Sequence, residues 1–219
     1  MNVFRAGLLQ ARDDRGFCMP GMTSHFFAYV SRLRWIRRWG LMRNAIEENV
    51  ATHSWEVATL AHVLALIRNR CFGGQVRVDR IAAVALYHDA TEVITGDLPT
   101  PVKYHSRVMR EAFGDIEHKA EKELLALLPE DLREPFEPYL CEARLEPEER
   151  ELLKAADRLS AWLKCRAELA AGNHEFAPAE AQIRRRLEQE DLPEVRYFLD
   201  VFAPSYEQPL DNLLSPGDS

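Results

Sequence analysis

Four side chains with metal-binding chemistry stand in apolar surroundings: His53, His88, Asp89 and Asp157. A helix turns by about 100° per residue. On that wheel Ile81, Val84, Ala85, His88 and Glu92 share a face, and Asp89 flanks it. His88 and Glu92 therefore continue a stripe that is otherwise apolar. A buried carboxylate without a partner costs several kcal/mol, so it must be paired, protonated or bound to a metal. His53 repeats the pattern, sharing its face with Val57, Leu60, Ala61 and Leu64. Asp157 lies among Ala155, Ala156, Ser160 and Ala161, small residues that permit close helix approach. Two imidazoles and two carboxylates suit Mn²⁺, Co²⁺, Fe²⁺ or Zn²⁺. Four protein ligands on a six-coordinate ion leave positions for water, as catalysis requires. A lone His-Asp pair is ordinary core or surface chemistry; the conjunction of three segments carries the reading. His62, nine residues after His53, falls on the opposite face and is expected to be solvated or incidentally packed.

The elements that must position these residues are helical almost throughout. Helices are expected over 24–38, 52–70, 80–95, 106–128, 147–172, 178–190 and 192–204, with short helical pieces over 130–140. Thr52 and Asp79 are candidate N-caps. Gly96, Pro99, Pro101, Pro129 and Gly172 mark helix ends, and Pro147 lies near the start of a long one. Trp35 and Trp55 are expected in the core. No alternating strand pattern, internal repeat or low-complexity tract occurs. The expected fold class is all-α, a single compact multi-helix domain over 23–210. Residues 1–22 are an extension without periodicity, and 211–219 a loose tail. Met22 could serve as the start codon, leaving 1–21 untranslated.

Composition excludes several classes of function. The chain is 47% hydrophobic and 29% charged, which argues against disorder. The net charge of −7 disfavours a nucleic-acid polymer as partner. No apolar run approaches the roughly 20 residues of a membrane span, and the N-terminus lacks the apolar core of a signal peptide. A cytoplasmic protein with no membrane partner is expected. Cys18, Cys71, Cys141 and Cys165 are scattered, without a C-x-x-C pair, and read as idle thiols. One segment, "SRLRWIRRWGLMR", concentrates Arg32, Arg34, Arg37, Arg38 and Arg43. Such a basic segment in an acidic protein suits a small anionic ligand.

The order His…His-Asp…Asp on successive helices resembles the HD-domain metal-dependent phosphohydrolases. The likeness is closest to the bacterial 5′-deoxynucleotidases of that superfamily. It is carried by "SHFFAYVSRLRWIRRWGLMRN", "ENVATHSWEVA", "ALYHDATEVITGDLPTPVKY", "KAADRLSAWLKCRAELAAGNHEF" and "YFLDVFAPS", from about Ser24 to about Leu210. The phrases "RWGLMRN" and "HDATEVITGDLPTPVKY" are long and specific. Gly40 stands where that pattern has a proline, and "HDATE" varies around its fixed His, Asp and Glu.

The resemblance implies an HD-domain fold and one divalent ion per chain, bound by His53, His88, Asp89 and Asp157. Co²⁺ or Mn²⁺ is favoured; Zn²⁺, Fe²⁺ and Mg²⁺ are alternatives. It further implies that Arg38 orients the substrate phosphate and that Trp39 packs on the sugar and excludes a ribose 2′-hydroxyl. Glu92 would lie near the attacking water. The loop Asp97-Leu98-Pro99-Thr100 would contact substrate, with Asp97 toward the sugar. The implied activity is hydrolysis of deoxyribonucleoside 5′-monophosphates to deoxynucleoside and phosphate by a homodimer.

Physical chemistry agrees with these roles. A divalent ion lowers the pKa of bound water and polarises a phosphoryl oxygen. Arg38 can pair with phosphate oxygens and never loses its charge. Glu92 can orient or deprotonate water; the alternative role for it is to hold a ligand histidine in place. Arg32, Arg34 and Arg37 are expected on a solvated face, and Lys103, His105 and His118 on the surface. Two competing functions remain at this level. One is an HD-type phosphohydrolase acting on a triphosphate, cyclic or alarmone nucleotide. The other is a helical nucleotide sensor that binds without turnover.

Overall fold

The computed structural model describes residues 23–103 and 105–213. The expectations for 1–22, including Cys18, and for 214–219 fall outside the described residues. Among the described residues the chain is helical and contains no strand; an isolated antiparallel bridge joins Arg37 and Asn49.

The longest apolar helix, α2 (Val50–Cys71), forms the centre. It is apolar over most of its circumference, the signature of a helix buried on several sides. It packs against α3 (Val78–Tyr87), α8 (Pro147–Ala170) and α10 (Pro193–Val201). Val57, Leu60, Ala61 and Leu64 meet Ile81, Val84 and Ala85 of α3 and Leu152, Ala155, Ala156 and Leu159 of α8 in one core. By length and hydropathy α2 does meet the criterion for a membrane span, contrary to the sequence expectation. More than half of its most apolar window is buried inside the protein. Its apolarity is therefore used by the core.

A second, smaller core lies beside the first. Phe26 of α1 (Phe26–Val30), Ala90, Leu124 of α6 (Arg107–Ala126), and Leu140 of α7 (Glu130–Leu140) build it with Tyr87 and Phe136. The segment His88–Asp89 thus emerges where the two cores meet.

Several element boundaries differ from the sequence expectation. The helix expected over 24–38 is α1 followed by a 3₁₀ turn, Ser31–Trp35, that ends with Ile36 extended. Ile36 leaves the helix because its carbonyl accepts the Val50 amide at 3.0 Å, while the Arg38 amide donates to the Glu48 carbonyl at 3.1 Å. These bonds close 36–50 into a loop over the start of α2. Asn49, not Thr52, caps α2; Thr52 is its reciprocal partner three residues later. Arg77, not Asp79, precedes α3, with Asp79 in its first turn. The 130–140 segment is one helix with Pro135 and Pro138 inside it. Trp35 and Trp55 are 67% and 64% exposed, not buried. Trp55 lies two residues from both His53 and Val57, so it points away from the face they bury. Trp35 ends the 3₁₀ turn and carries the Arg32 guanidinium 5.3 Å from its ring centre.

Pro147 opens α8 at its first turn, and Gly172 follows its end with φ 83°. The Gly172 amide donates to the Leu169 carbonyl and the Asn173 amide to the Glu168 carbonyl, each at 2.9 Å. This paired closure needs a left-handed residue, which glycine supplies without strain. The chain then runs through α9 (Ala177–Gln189) to α10.

Candidate metal and substrate site

The site gathers the ends and middles of three helices. His53 lies in the first turn of α2, 1% exposed. His88 and Asp89 directly follow α3, and Asp157 lies in the middle of α8. The helix expected to run from 80 to 95 stops at Tyr87. Residues 88–91 form tight turns, with Ala90 bonded to Tyr87 and Glu92 to Asp89, before the short α4 (Glu92–Thr95). His88 and Glu92 are therefore not one turn apart on a continuous helix. The interruption is still compatible with an inward Glu92, whose Oε2 is buried without a hydrogen-bond partner.

The donor atoms converge. His53 Nε2 lies 3.1 Å from Asp157 Oδ1 and 3.6 Å from Asp89 Oδ2, and His88 Nε2 lies 3.1 Å from Asp89 Oδ2. One ligand atom each from His53, His88 and Asp89 fall within 4.8 Å of one another. Both Nε2 atoms are buried and hydrogen-bonded to nothing, despite the short approaches. Nitrogens and oxygens this close but not bonded to each other suit a common third partner. The Nδ1 atoms, in contrast, are engaged: His88 with the Ala85 carbonyl at 2.7 Å, and His53 with Ser160 Oγ at 3.1 Å. A nitrogen and oxygen donor set of this kind fits a divalent metal ion.

The clustered charges shift one another's ionisation. Burial opposes the charged form of His88, but the Asp89 charge outweighs it and pushes the pKa up to about 9. Burial would raise Asp89, yet His88, His53 and Arg38 hold it well below the usual carboxylate range. Asp157 is lowered in the same way, His53 and His88 outweighing its burial. Glu92 moves the other way, up to about 9, through burial and then the charges of Asp89 and Asp97. Burial and the neighbouring carboxylates thus favour the neutral form of Glu92, and a cation bound beside it would favour the ionised form.

Arg38 reaches this cluster from the 36–50 loop. Its Nε donates to Glu48 Oε2 at 3.1 Å, and its NH1 approaches Asp89 Oδ2 at 3.5 Å. Burial opposes its charge, but Asp157, Asp89, Glu48 and Asp97 together hold its pKa above the ordinary value. Arg32, Arg34 and Arg37 of the same run are exposed, as expected. Trp39 adopts φ 57°, an uncommon conformation for a bulky residue and a form of strain often stored at functional sites. Three contacts hold it. Its indole N–H donates to Glu48 Oε2 at 2.8 Å, its ring lies 5.3 Å from Phe176, and its backbone N–H donates to the Asp97 carboxylate. Asp97 follows Gly96, whose φ of 71° turns the chain out of α4.

Leu98 and Pro99 are half-buried on that loop, and the Pro99 carbonyl accepts the Val102 and Lys103 amides. Thr100 opens the short helix α5 (Thr100–Lys103); its side chain lies outside the described residues. Lys103 donates to Glu117 at 2.8 Å and sits 4.7 Å from the Phe113 ring centre. His105 and His118 are exposed, the latter paired with Glu121.

Three residues of the site were not read as functional from sequence. Glu48 binds Arg38 and Trp39 through one oxygen. Ser160 and Glu56 back His53, with the Ser160 hydroxyl donating to Glu56 Oε2 at 2.5 Å. The one available signal for Ser160 was its place one turn beyond Asp157; Glu48 and Glu56 look like ordinary helix-end and surface acids.

Comparison with known proteins decides the family. The 5′-deoxynucleotidase YfbR-like family model matches residues 25–206. The chain belongs to the YfbR-like family. It is 48% identical over 190 residues to a 5′-deoxynucleotidase of Vibrio vulnificus, covering 87% of this chain and 98% of that one. A 5′-deoxynucleotidase of Photorhabdus laumondii is 51% identical over 190 residues, covering 87% and 96%. Among solved structures, an HD-domain phosphohydrolase of Listeria innocua superposes with a TM-score of 0.72 at 25% identity, covering 83% of this chain and 88% of that one. An HD phosphohydrolase of cyanophage S-2L, bound to dA and one catalytic Zn²⁺, gives 0.55 at 25% identity, covering 79% and 93%. The all-α HD-domain fold expected from the sequence is thus the fold of this YfbR-like chain.

Proposed function

We infer that this YfbR-like chain is a metal-dependent 5′-deoxynucleotidase. It hydrolyses a deoxyribonucleoside 5′-monophosphate with water to deoxynucleoside and inorganic phosphate. The observation that carries the reading is the pair of buried Nε2 atoms without a hydrogen bond, facing two carboxylates beneath a half-buried arginine.

His53, His88, Asp89 and Asp157 hold the ion, with Co²⁺ or Mn²⁺ as the proposed metal. The cyanophage neighbour carries Zn²⁺, which stays among the alternatives. When bound, the ion supplies Lewis acidity toward a phosphoryl oxygen and toward water. Arg38 clamps the phosphate: Glu48 occupies its Nε and Asp89 lies 3.5 Å from NH1, which leaves NH2 and the second hydrogen of NH1 for phosphate oxygens. Glu92 sits beside the ligands in the position of a general base for the attacking water. Trp39, locked by Glu48, Asp97 and Phe176, forms the sugar-facing wall and disfavours a 2′-hydroxyl. Asp97, Leu98, Pro99 and Thr100 complete the substrate loop. A triphosphate would demand more positive charge than Arg38 provides, and Lys103 is engaged with Glu117. The proposed assembly is a homodimer, consistent with large exposed side chains such as Phe27, Trp35 and Trp55. Cys71, Cys141 and Cys165 are free thiols, which suits a reducing cytoplasm.

The test is phosphate release from dAMP, AMP and dATP by protein stripped with chelator and refilled with Mn²⁺ or Co²⁺. The expected result is metal-dependent turnover of dAMP above AMP and dATP, abolished in Asp157→Ala. Equal turnover of AMP removes the sugar role of Trp39. Release from dATP alone moves the substrate class to triphosphates. Nucleotide binding without release would support the sensor instead.

A further inference from the structure

We propose that Ser160 and Glu56 are positioning residues that fix the tautomer of His53 and thereby raise its affinity for the metal ion. The inference rests on the metal-site reading above. Both histidines must present a bare Nε2 to a metal, so each needs its proton on Nδ1. The structure achieves this in two different ways.

At His88 the partner of Nδ1 is the Ala85 carbonyl, 2.7 Å away. A carbonyl only accepts, so Nδ1 must donate, and in the neutral ring that a metal ion binds Nε2 is then the bare nitrogen. At His53 the partner is a serine hydroxyl, 3.1 Å away and 0% exposed. A hydroxyl can donate or accept, and it holds one proton. Left alone, Ser160 could donate to Nδ1 and force the His53 proton onto Nε2. That proton would then point toward Asp157 Oδ1, 3.1 Å away, and would block the ligand position.

Glu56 removes the ambiguity. It lies three residues after His53 on α2, on a neighbouring face. Its Oε2 takes the Ser160 proton at 2.5 Å, a length typical of a hydroxyl bonded to a charged acceptor. With its proton committed, Ser160 Oγ can only accept from His53 Nδ1–H. The relay from Glu56 through Ser160 to His53 therefore converts a half-buried carboxylate into a directional constraint on a buried imidazole. Loss of such outer partners usually costs about 10- to 100-fold in metal affinity.

The test uses the full chain with Ser160→Ala, Glu56→Ala, the double variant and Glu56→Gln. Mn²⁺ and Co²⁺ affinities are measured by chelator competition. The His53 tautomer is read from imidazole ¹⁵N shifts of the metal-free protein. Ser160→Ala is expected to weaken ion binding by about tenfold or more. Glu56→Ala should do the same to a smaller degree and populate the Nε2–H tautomer. Glu56→Gln, whose amide oxygen still accepts, should recover most of the affinity. The double variant should be no weaker than Ser160→Ala, because Glu56 acts only through the hydroxyl. Wild-type affinity in Ser160→Ala, or an Nε2–H tautomer in the metal-free wild type, would overturn the proposal. So would additive losses in the double variant. If Ser160→Ala fails to fold, the half-buried Glu56→Ala and its spectrum decide. If the wild type binds no ion, the metal-site reading falls, and the metal-free spectrum still decides the relay.

Discussion

Two buried polar clusters sit on α8, about three turns apart, and they differ in how completely they are satisfied. Around Asp157, two histidine nitrogens and a Glu92 oxygen have no hydrogen-bond partner. Around Glu168 both carboxylate oxygens are engaged. Its Oε2 accepts the Ala45 amide at 2.9 Å and Asn173 Nδ2 at 2.7 Å; its Oε1 accepts the Ile46 amide at 3.0 Å. Lys164 pairs with it one turn earlier and also bonds the Ile46 carbonyl. Both clusters pair charge, but the second satisfies both oxygens of its carboxylate, whereas the first leaves ring nitrogens and a Glu92 oxygen unbonded. A closed cluster of this kind acts as a latch, fastening the loop that carries Arg38, Trp39 and Glu48 to α8. An open one keeps unmet ligand capacity, which costs stability and supports function.

The contrast predicts opposite mutational signatures. The largest effect should come from the open cluster. His88→Ala should reduce kcat/KM for dAMP by about three orders of magnitude, or about 4 kcal/mol of transition-state stabilisation. It should lower the melting temperature of the metal-free protein only modestly, because it loses just the Nδ1–H bond to the Ala85 carbonyl and the approach to Asp89. A large fall in melting temperature would show that the two clusters are not different in kind.

Next comes the latch. Glu168→Ala leaves Lys164 buried without its partner and should destabilise by about 3–5 kcal/mol, read by urea denaturation. Activity of the remaining folded protein should fall far less than in His88→Ala. Burial opposes ionisation of Glu168, but Lys164 and the amides of Ala45, Asn173 and Ile46 outweigh it and bring its pKa down to about 2. The folded value lies below the ordinary 4.5. The contribution is therefore complete above about pH 4.5 and is lost as pH falls toward 2. An acid titration of stability should lose this component in Glu168→Gln.

Glu92→Gln should behave in the reverse sense. Glu92 is held up at about 9 against an ordinary 4.5, so metal-free stability falls as pH rises across that interval. The neutral amide should stabilise the metal-free protein at pH 7 by about 1–2 kcal/mol while lowering turnover. Unchanged stability would mean that the Glu92 carboxyl is not strained. The smallest effect belongs to an exposed pair outside both clusters. Arg184→Ala, which breaks the bond to Glu188, should change stability by less than about 0.5 kcal/mol.

Much of this site is readable from local pattern. The inward face of His53 and the misplaced Asp157 follow from helical periodicity, whereas only the family resemblance separates Arg38 from its neighbouring arginines. The family phrases around Arg38 and His88 carry the activity. The errors have local causes too. Trp35 and Trp55 are large and apolar, but helix direction puts Trp55 on the far side from the core. The stop after Tyr87 has no breaker residue to announce it; it occurs because α3 must hand the chain to the second core.

The sequence by itself determined an all-helical chain and the candidate ligand types, because periodicity and residue chemistry are local properties. Only the tertiary structure decided which acids complete the site. Glu48, Glu56 and Glu168 resemble surface glutamates until α2, α8 and the 36–50 loop come together. Their roles depend on distances between atoms remote along the chain, from Glu48 gripping two neighbours to Glu56 setting a hydroxyl proton 104 positions away. Hydrogen-bond direction exists only once those partners are fixed in space.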